Sequence, residues 1–166
     1  MDVAGFYAIL AGLSFTLLGL WWVACQSRMA WIQDGVGRGM AYVVSLHFAL
    51  PGAMALLSLI APDVPAMWRI TFTVAGALGL IGTLFVVATM RRHAALDLGL
   101  LRVIQWIAIP LYAGVAVVAA FPQLVGGIGL TPIQVEAILL VVLVLLGTQS
   151  AWVLTFARDG AGSGSN

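Results

Sequence analysis

Long apolar stretches alternate with short polar segments along the whole chain. Each stretch has about 20 residues, the length that an α-helix needs to cross the hydrocarbon core of a bilayer. The polar segments between them carry glycine, proline and charged residues, which are typical of turns, and the segment Asp34 to Arg38 is predicted to be one such turn. The pattern predicts five membrane-spanning helices, at about Val3 to Gln26, Met40 to Ile60, Trp68 to Met90, Val103 to Phe121 and Pro132 to Phe156.

The composition supports the same fold class. Hydrophobic residues make up 63% of the 166 residues, charged residues make up 8%, and the mean hydropathy is +1.12. Soluble domains are about half apolar and about a quarter charged. We therefore expect an all-α integral membrane protein, with residues 1–158 forming a single five-helix domain and residues 159–166 forming a disordered cytoplasmic tail.

The arginines predict an orientation, because basic residues near helix ends are retained on the cytoplasmic side. All seven basic residues are arginine. In a five-span arrangement only Arg69 falls on one side, and the other side holds Arg28, Arg38, Arg91, Arg92, Arg102 and Arg158. We expect an external N-terminus, a cytoplasmic C-terminus and a place in a cell membrane, specifically a bacterial inner membrane.

Two spans carry a face of small residues. In the first span, Gly5, Gly12 and Gly19 lie with Ala8 and Thr16 within an arc of about 80°. Gly76 and Gly79 form a similar face on the third span. Helices approach closely along such faces in lipid, so we interpret them as helix-packing surfaces and expect a homo-oligomer.

Few polar residues interrupt the spans, and those few are the candidates for function, since polar groups in hydrocarbon are costly. His47 is expected about three residues to the cytoplasmic side of the centre of its helix, and Gln149 is expected at a similar depth in the inner half of the membrane. We predict a polar cluster in which His47 bonds to Gln149 or to a nearby hydroxyl; its other members are Ser45, Thr83, Thr148 and Ser150. A purely structural histidine fits the same pattern.

Two charged residues begin helices on the side opposite the six arginines. Glu136 opens the fifth span and Arg69 opens the third, so they can form an ion pair. Alternatively, a ring of Glu136 side chains in an oligomer can attract cations to a vestibule. Pro51 and Pro110 lie inside the second and fourth spans and predict kinks there.

Several classes of function are disfavoured. The net charge of +1 gives no basic excess for nucleic acid. The sequence has no zinc-protease motif or Cys/His cluster, and its second histidine, His93, falls in a turn, so we expect neither a metal nor a haem cofactor. Ser14, His47 and Glu136 include nucleophile and base types, but their spacing shows no catalytic arrangement.

Two functions remain open at this point. The first is an oligomeric channel or small passive transporter, whose permeation route passes His47 and Gln149. The second is a non-catalytic subunit or scaffold that packs against the helices of other membrane subunits. The lipid bilayer is the expected partner in both cases.

Overall fold

Five long α-helices make up almost all of the computed structural model, which describes residues 2–27, 35–60, 64–92, 99–127 and 129–157. The helices are α1 (Val3–Ser27), α2 (Gly35–Ile60), α3 (Pro65–Arg92), α4 (Gly99–Ala120) and α5 (Pro132–Ala157). A short 3-10 turn, Pro122–Val125, follows α4. These ranges contain no strand. Each helix is long and apolar enough to cross a membrane, which confirms the predicted all-α class with five candidate spans.

The helices extend beyond the apolar runs. α2 begins at Gly35, so the glycine-bearing segment up to Arg38, predicted to be a turn, is helical. That prediction was wrong because an apolar run marks only the part of a helix suited to hydrocarbon, whereas the helix itself continues while its backbone groups stay paired. α3 begins at Pro65, where proline suits the first helical position because it has no N–H to leave unpaired.

Successive helices run antiparallel. Trp21 Nε1 of α1 donates a hydrogen bond to the carbonyl of Ala41 near the start of α2, at 3.1 Å. At the other end of the bundle, the Tyr7 hydroxyl of α1 donates to the carbonyl of Ile133 of α5, at 2.9 Å. α1, α3 and α5 therefore begin at one end, which we call the first end, and α2 and α4 begin at the second end.

Glycines allow the helices to pack closely at the centre. α2 lies against α1, α3 and α5, and α4 lies against α3 and α5. A β-carbon at Gly76 of α3 would lie 2.8 Å from the backbone nitrogen of Ala116 of α4, and one at Gly147 of α5 would lie 2.8 Å from the β-carbon of His47. Neither position has room for a larger residue. Outward positions are largely apolar, as for Ile9 and Phe85.

Candidate functional site

His47 lies at the middle of the bundle and is completely buried. Its Nδ1 is 2.8 Å from the carbonyl oxygen of Val43, one turn earlier on α2. Because a carbonyl can only accept, Nδ1 carries the proton, and Nε2 of the neutral ring presents a lone pair. The ring meets that of Tyr112 of α4 edge to face, with 5.6 Å between centroids. Nε2 has no hydrogen-bonding partner among the described residues.

The predicted bond between His47 and Gln149 is not formed. Gln149 follows Gly147 by two residues on α5 and is exposed on the outside of the bundle, whereas Gly147 lies against His47. Residues two apart on a helix do not share a face, so α5 cannot present both to the interior. The structure therefore separates the two residues that the sequence placed together.

The predicted hydroxyl cluster is divided as well. Three of its hydroxyls donate to a carbonyl of their own helix: Ser45 to Ala41 at 3.0 Å, Thr83 to Gly79 at 2.8 Å and Thr148 to Val144 at 3.0 Å. Such a bond within one helix satisfies the hydroxyl and leaves no need for another partner. Ser150 differs, because it is fully buried and its Oγ has no partner in the described part of the chain.

Glu136 and Arg69 do not form the expected ion pair. The Arg69 guanidinium donates instead to the last carbonyls of α4, from Nε to Ala119 at 3.1 Å and from Nη2 to Ala120 at 3.0 Å. Those carbonyls have no helical donor, so the arginine caps the end of α4. Glu136 is completely buried, and neither carboxyl oxygen has a partner in the described ranges.

Six residues share the property of a buried side-chain polar atom without a protein partner in the described part of the chain. We call them the buried polar series; they are Glu136, Ser14, His47, Ser150, Gln105 and Arg102. They come from α1, α2, α4 and α5. Buried polar atoms are hydrogen-bonded in more than about 90% of cases, so six such residues in one small bundle require an explanation.

Contacts between helices place the series in order along the bundle. Gly147 lies against His47, so Glu136, about three turns earlier on α5, lies about 16 Å toward the first end. Ser14 packs against Gly52 and lies about 7 Å from the His47 level in the same direction.

Toward the second end, Ser150 follows Gly147 by one turn, and so lies about 4.5 Å beyond the His47 level. Tyr112 shares the level of His47, which puts Gln105 about 10 Å and Arg102 about 15 Å beyond it. The series therefore covers about 31 Å along the axis, close to the roughly 30 Å of a bilayer's hydrocarbon core.

The remaining sequence candidates divide by helix. Gly76 packs against α4 and Gly79 lies under the Tyr112 ring, whereas a β-carbon at Gly12 or Gly19 would meet no atom within 4 Å, since both lie on the exposed side of α1. Gly5 contacts Asp2, whose carboxylate accepts a hydrogen bond from the Gly5 N–H at 3.0 Å and caps the start of α1.

The two prolines predicted to kink their helices lie inside α2 and α4. Pro51 is buried and Pro110 is exposed.

The sequence reasoning overlooked Gln105, Arg102 and the two buried tyrosines, Tyr7 and Tyr112. Gln105 is 1% exposed, although an amide inside an apolar run is a visible signal of a polar group at membrane depth. From the sequence alone, Arg102 indicates only the side of the membrane on which its helix begins. The sequence presents Ser14 only as a nucleophile type, and its place in the series depends on its contact with Gly52, which the sequence does not reveal.

Among the residues that the structure describes, no three His, Cys, Asp or Glu side chains come together as a metal site would require. His93 lies outside the described residues, as do Arg28 and Arg158. Comparison with protein-family models, with curated proteins and with solved structures found no match.

Proposed function

We propose that this protein inserts into a membrane through its five helices and conducts a small hydrophilic species passively through the core of the bundle, past His47. The observation that carries the proposal is the order of the buried polar series from one end of the bundle to the other. An isolated buried polar atom without a partner costs about 1–3 kcal/mol, and water along a route would supply the missing partners.

A passive route fits the chemistry better than coupled transport does. Among the buried residues of the described part of the chain, Glu136 is the only Asp, Glu, Lys or Arg. Coupled transporters need several ionisable groups at membrane depth to bind substrate and driving ion together. Hydroxyl, amide and imidazole groups supply partners for a hydrated or hydrogen-bonded species without holding it tightly, which conduction requires.

The proposed orientation puts the first end outside and the second end in the cytoplasm. Arg38 near the start of α2 and Arg102 near the start of α4 both belong to the second end, whereas Arg69 belongs to the first. Retention of arginines on the cytoplasmic side favours this orientation. Glu136 is then the outermost member of the series and Arg102 the innermost.

A flux assay in proteoliposomes tests this function and separates a core route from one past the outer surface of α5. The purified protein is compared with His47→Phe and with Gln149→Leu, using swelling in small neutral solutes and the efflux of Na⁺, K⁺ and protons. We expect His47→Phe to abolish the flux and Gln149→Leu to retain it. Loss of flux in Gln149→Leu alone would show that the route lies along the outer surface of α5, between copies of the chain.

We further propose that copies of this chain associate through the exposed face of α1. Its small residues are turned outward, and Gly12 and Gly19 have open space beside them. Small faces promote helix association in lipid because backbones approach closely there. This face is separate from the buried polar series, so the route and the association are independent.

A role as a membrane scaffold is the second candidate, and one feature favours it. A cleft of about 350 Å³ opens between α1 and α5 on the outside of the bundle, with Trp21, Phe48, Trp152 and Thr148 among its lining residues. A helix from another subunit could fill this cleft, because van der Waals packing drives helix association in lipid. Co-purification of the chain with one other membrane protein, and the absence of any flux, would support this candidate.

A further inference from the structure

We propose that the conducted species is the proton, that Glu136 takes it up near the first end, and that His47 relays it at the middle of the bundle. This inference rests on the proposed route through the core. It goes further by naming the species and two groups that bind it. Three observations support it: the surroundings of Glu136, the small number of hydrogen-bond acceptors at each depth in the bundle, and the hydrogen bond of His47.

The surroundings of Glu136 offer its carboxyl group neither a cation nor a hydrogen-bond donor in the described part of the chain. Tyr7 of α1 is the ionisable side chain nearest in level, and its hydroxyl proton is already given to the Ile133 carbonyl. On α3, the Arg69 guanidinium is bonded to α4 carbonyls. A buried carboxylate anion without a countercharge is costly, and binding one proton removes that charge.

The number of acceptors argues against a metal cation. Ca²⁺ takes about 6–8 oxygen ligands and Mg²⁺ about six, and a potassium filter likewise surrounds its ion with carbonyl oxygens. Glu136 provides two side-chain oxygens without partners, Ser14, His47, Gln105 and Ser150 each provide one side-chain acceptor, and Arg102 provides only its Nε donor. One or two acceptors at a level cannot replace an ion's hydration shell, but a single acceptor is sufficient to receive a proton.

His47 has one nitrogen available for the relay. Nδ1 keeps its proton in the bond to the Val43 carbonyl, which holds the ring in one tautomer and one orientation. Nε2 is then the basic nitrogen, with no partner in the described ranges. The titratable group that packs against the ring is Tyr112, with 5.6 Å between the ring centroids. Among the buried residues of the described chain, no charged side chain lies at the same depth as His47.

The transfer balances without any further reactant. A hydronium ion at the first end gives a proton to one Glu136 carboxylate oxygen; one of its O–H bonds breaks to leave water, and a new O–H bond forms as the anion becomes the neutral acid. The acid then releases this proton along water and the Ser14 hydroxyl to Nε2 of His47, where an N–H bond forms and the ring becomes an imidazolium. That N–H bond then breaks as its proton passes to water bonded to the Ser150 hydroxyl and the Gln105 amide oxygen, the neutral imidazole returns, and the water releases one proton as hydronium at the second end.

Proton and metal-ion fluxes measured side by side test the proposal. The full chain is reconstituted in vesicles that contain a pH-sensitive dye, and a potential is set by a K⁺ gradient with valinomycin. Na⁺ and K⁺ efflux is measured in separate vesicles without the ionophore. The variants are Glu136→Gln, Glu136→Asp and, as the control, Ser58→Ala, whose hydroxyl is bonded to the carbonyl of Ala55 in its own helix.

We expect proton flux without matching Na⁺ or K⁺ flux. Glu136→Gln should lower it by about a hundredfold, the lower range of what a positioned proton-transfer group contributes. Glu136→Asp should retain part of the flux, and Ser58→Ala should retain all of it. A flux of Na⁺, K⁺ or neutral solute above the proton flux would overturn the assignment of the proton as the conducted species, but it would still support a route through the core. No flux of any species would overturn the route itself.

A chemical label gives a second readout that needs no variant. Dicyclohexylcarbodiimide enters apolar sites and reacts with a protonated carboxyl, so it should modify wild-type Glu136, as located by mass spectrometry of peptides. We expect proton flux to fall in proportion to the labelled fraction. Full labelling with unchanged proton flux, or flux lost while Glu136 is unlabelled, would overturn its assignment as the proton acceptor.

Discussion

Pro51 lies four residues after His47 on α2, and, because proline has no N–H, the carbonyl oxygen of His47 lacks the donor that an α-helix would give it. His47 therefore has two acceptors to satisfy at the middle of the bundle, this carbonyl and the side-chain Nε2. Both belong to a completely buried residue. The proline and the histidine therefore leave two acceptors that need hydrogen-bond donors at the depth where the proposed route passes.

Replacing Pro51 with alanine should reduce flux. Alanine restores the N–H, which pairs with the His47 carbonyl and removes one acceptor from the route. Pro110→Ala is the control, because Pro110 lies inside α4 but is exposed. Proteoliposome flux at matched protein content should fall for Pro51→Ala and stay at the wild-type level for Pro110→Ala. Equal effects of the two substitutions would show that helix straightening, and not the His47 carbonyl, matters.

Gly76 should be much less tolerant of a side chain than Gly114. A β-carbon at Gly76 would lie 2.8 Å from the Ala116 backbone nitrogen, whereas one at Gly114 would make an ordinary contact with Leu139 at 3.6 Å. Gly76→Ala should lower the free energy of unfolding by about 1–3 kcal/mol, as overpacking does. Gly114→Ala should leave it unchanged or raise it by up to about 1 kcal/mol. Unfolding in detergent measures both, and equal stability of the two variants would contradict the α3–α4 packing.

The exposed face of α1 should control association. A leucine at Gly12 points into open space within one chain, so Gly12→Leu should fold normally but block close approach of a second α1. Ile9→Leu, at an exposed position that already carries a large side chain, is the control. Native mass spectrometry or light scattering should find the assembly reduced for Gly12→Leu only. An unchanged oligomeric state of Gly12→Leu would show that copies do not associate through α1.

The sequence predicted the helices well because apolar length is a property of each segment alone. The first and fifth runs ended within a residue or two of α1 and α5, whereas α2, α3 and α4 began earlier than their apolar runs. Those starts lie in segments such as Gly35 to Arg38, where composition suggests a turn and only the backbone pairing shows a helix.

The site was harder to predict because it depends on which side of each helix faces inward. Depth alone grouped His47 with Gln149, but the close approach at Gly147 turns Gln149 outward. Likewise, charge alone paired Glu136 with Arg69, whereas the open carbonyls at the end of α4 bind the arginine. Both outcomes depend on contacts between helices distant in sequence.

Three buried serines provide the most direct test of the route through the core. Ser14 and Ser150 belong to the buried polar series, whereas the Ser58 hydroxyl donates to Ala55 at 2.8 Å within α2. The measurement is proteoliposome flux for the three serine-to-alanine variants at matched content of folded protein. For a route through the core, we expect reduced flux for Ser14→Ala and Ser150→Ala and wild-type flux for Ser58→Ala. Wild-type flux in all three variants, or a reduction confined to Ser58→Ala, would contradict it.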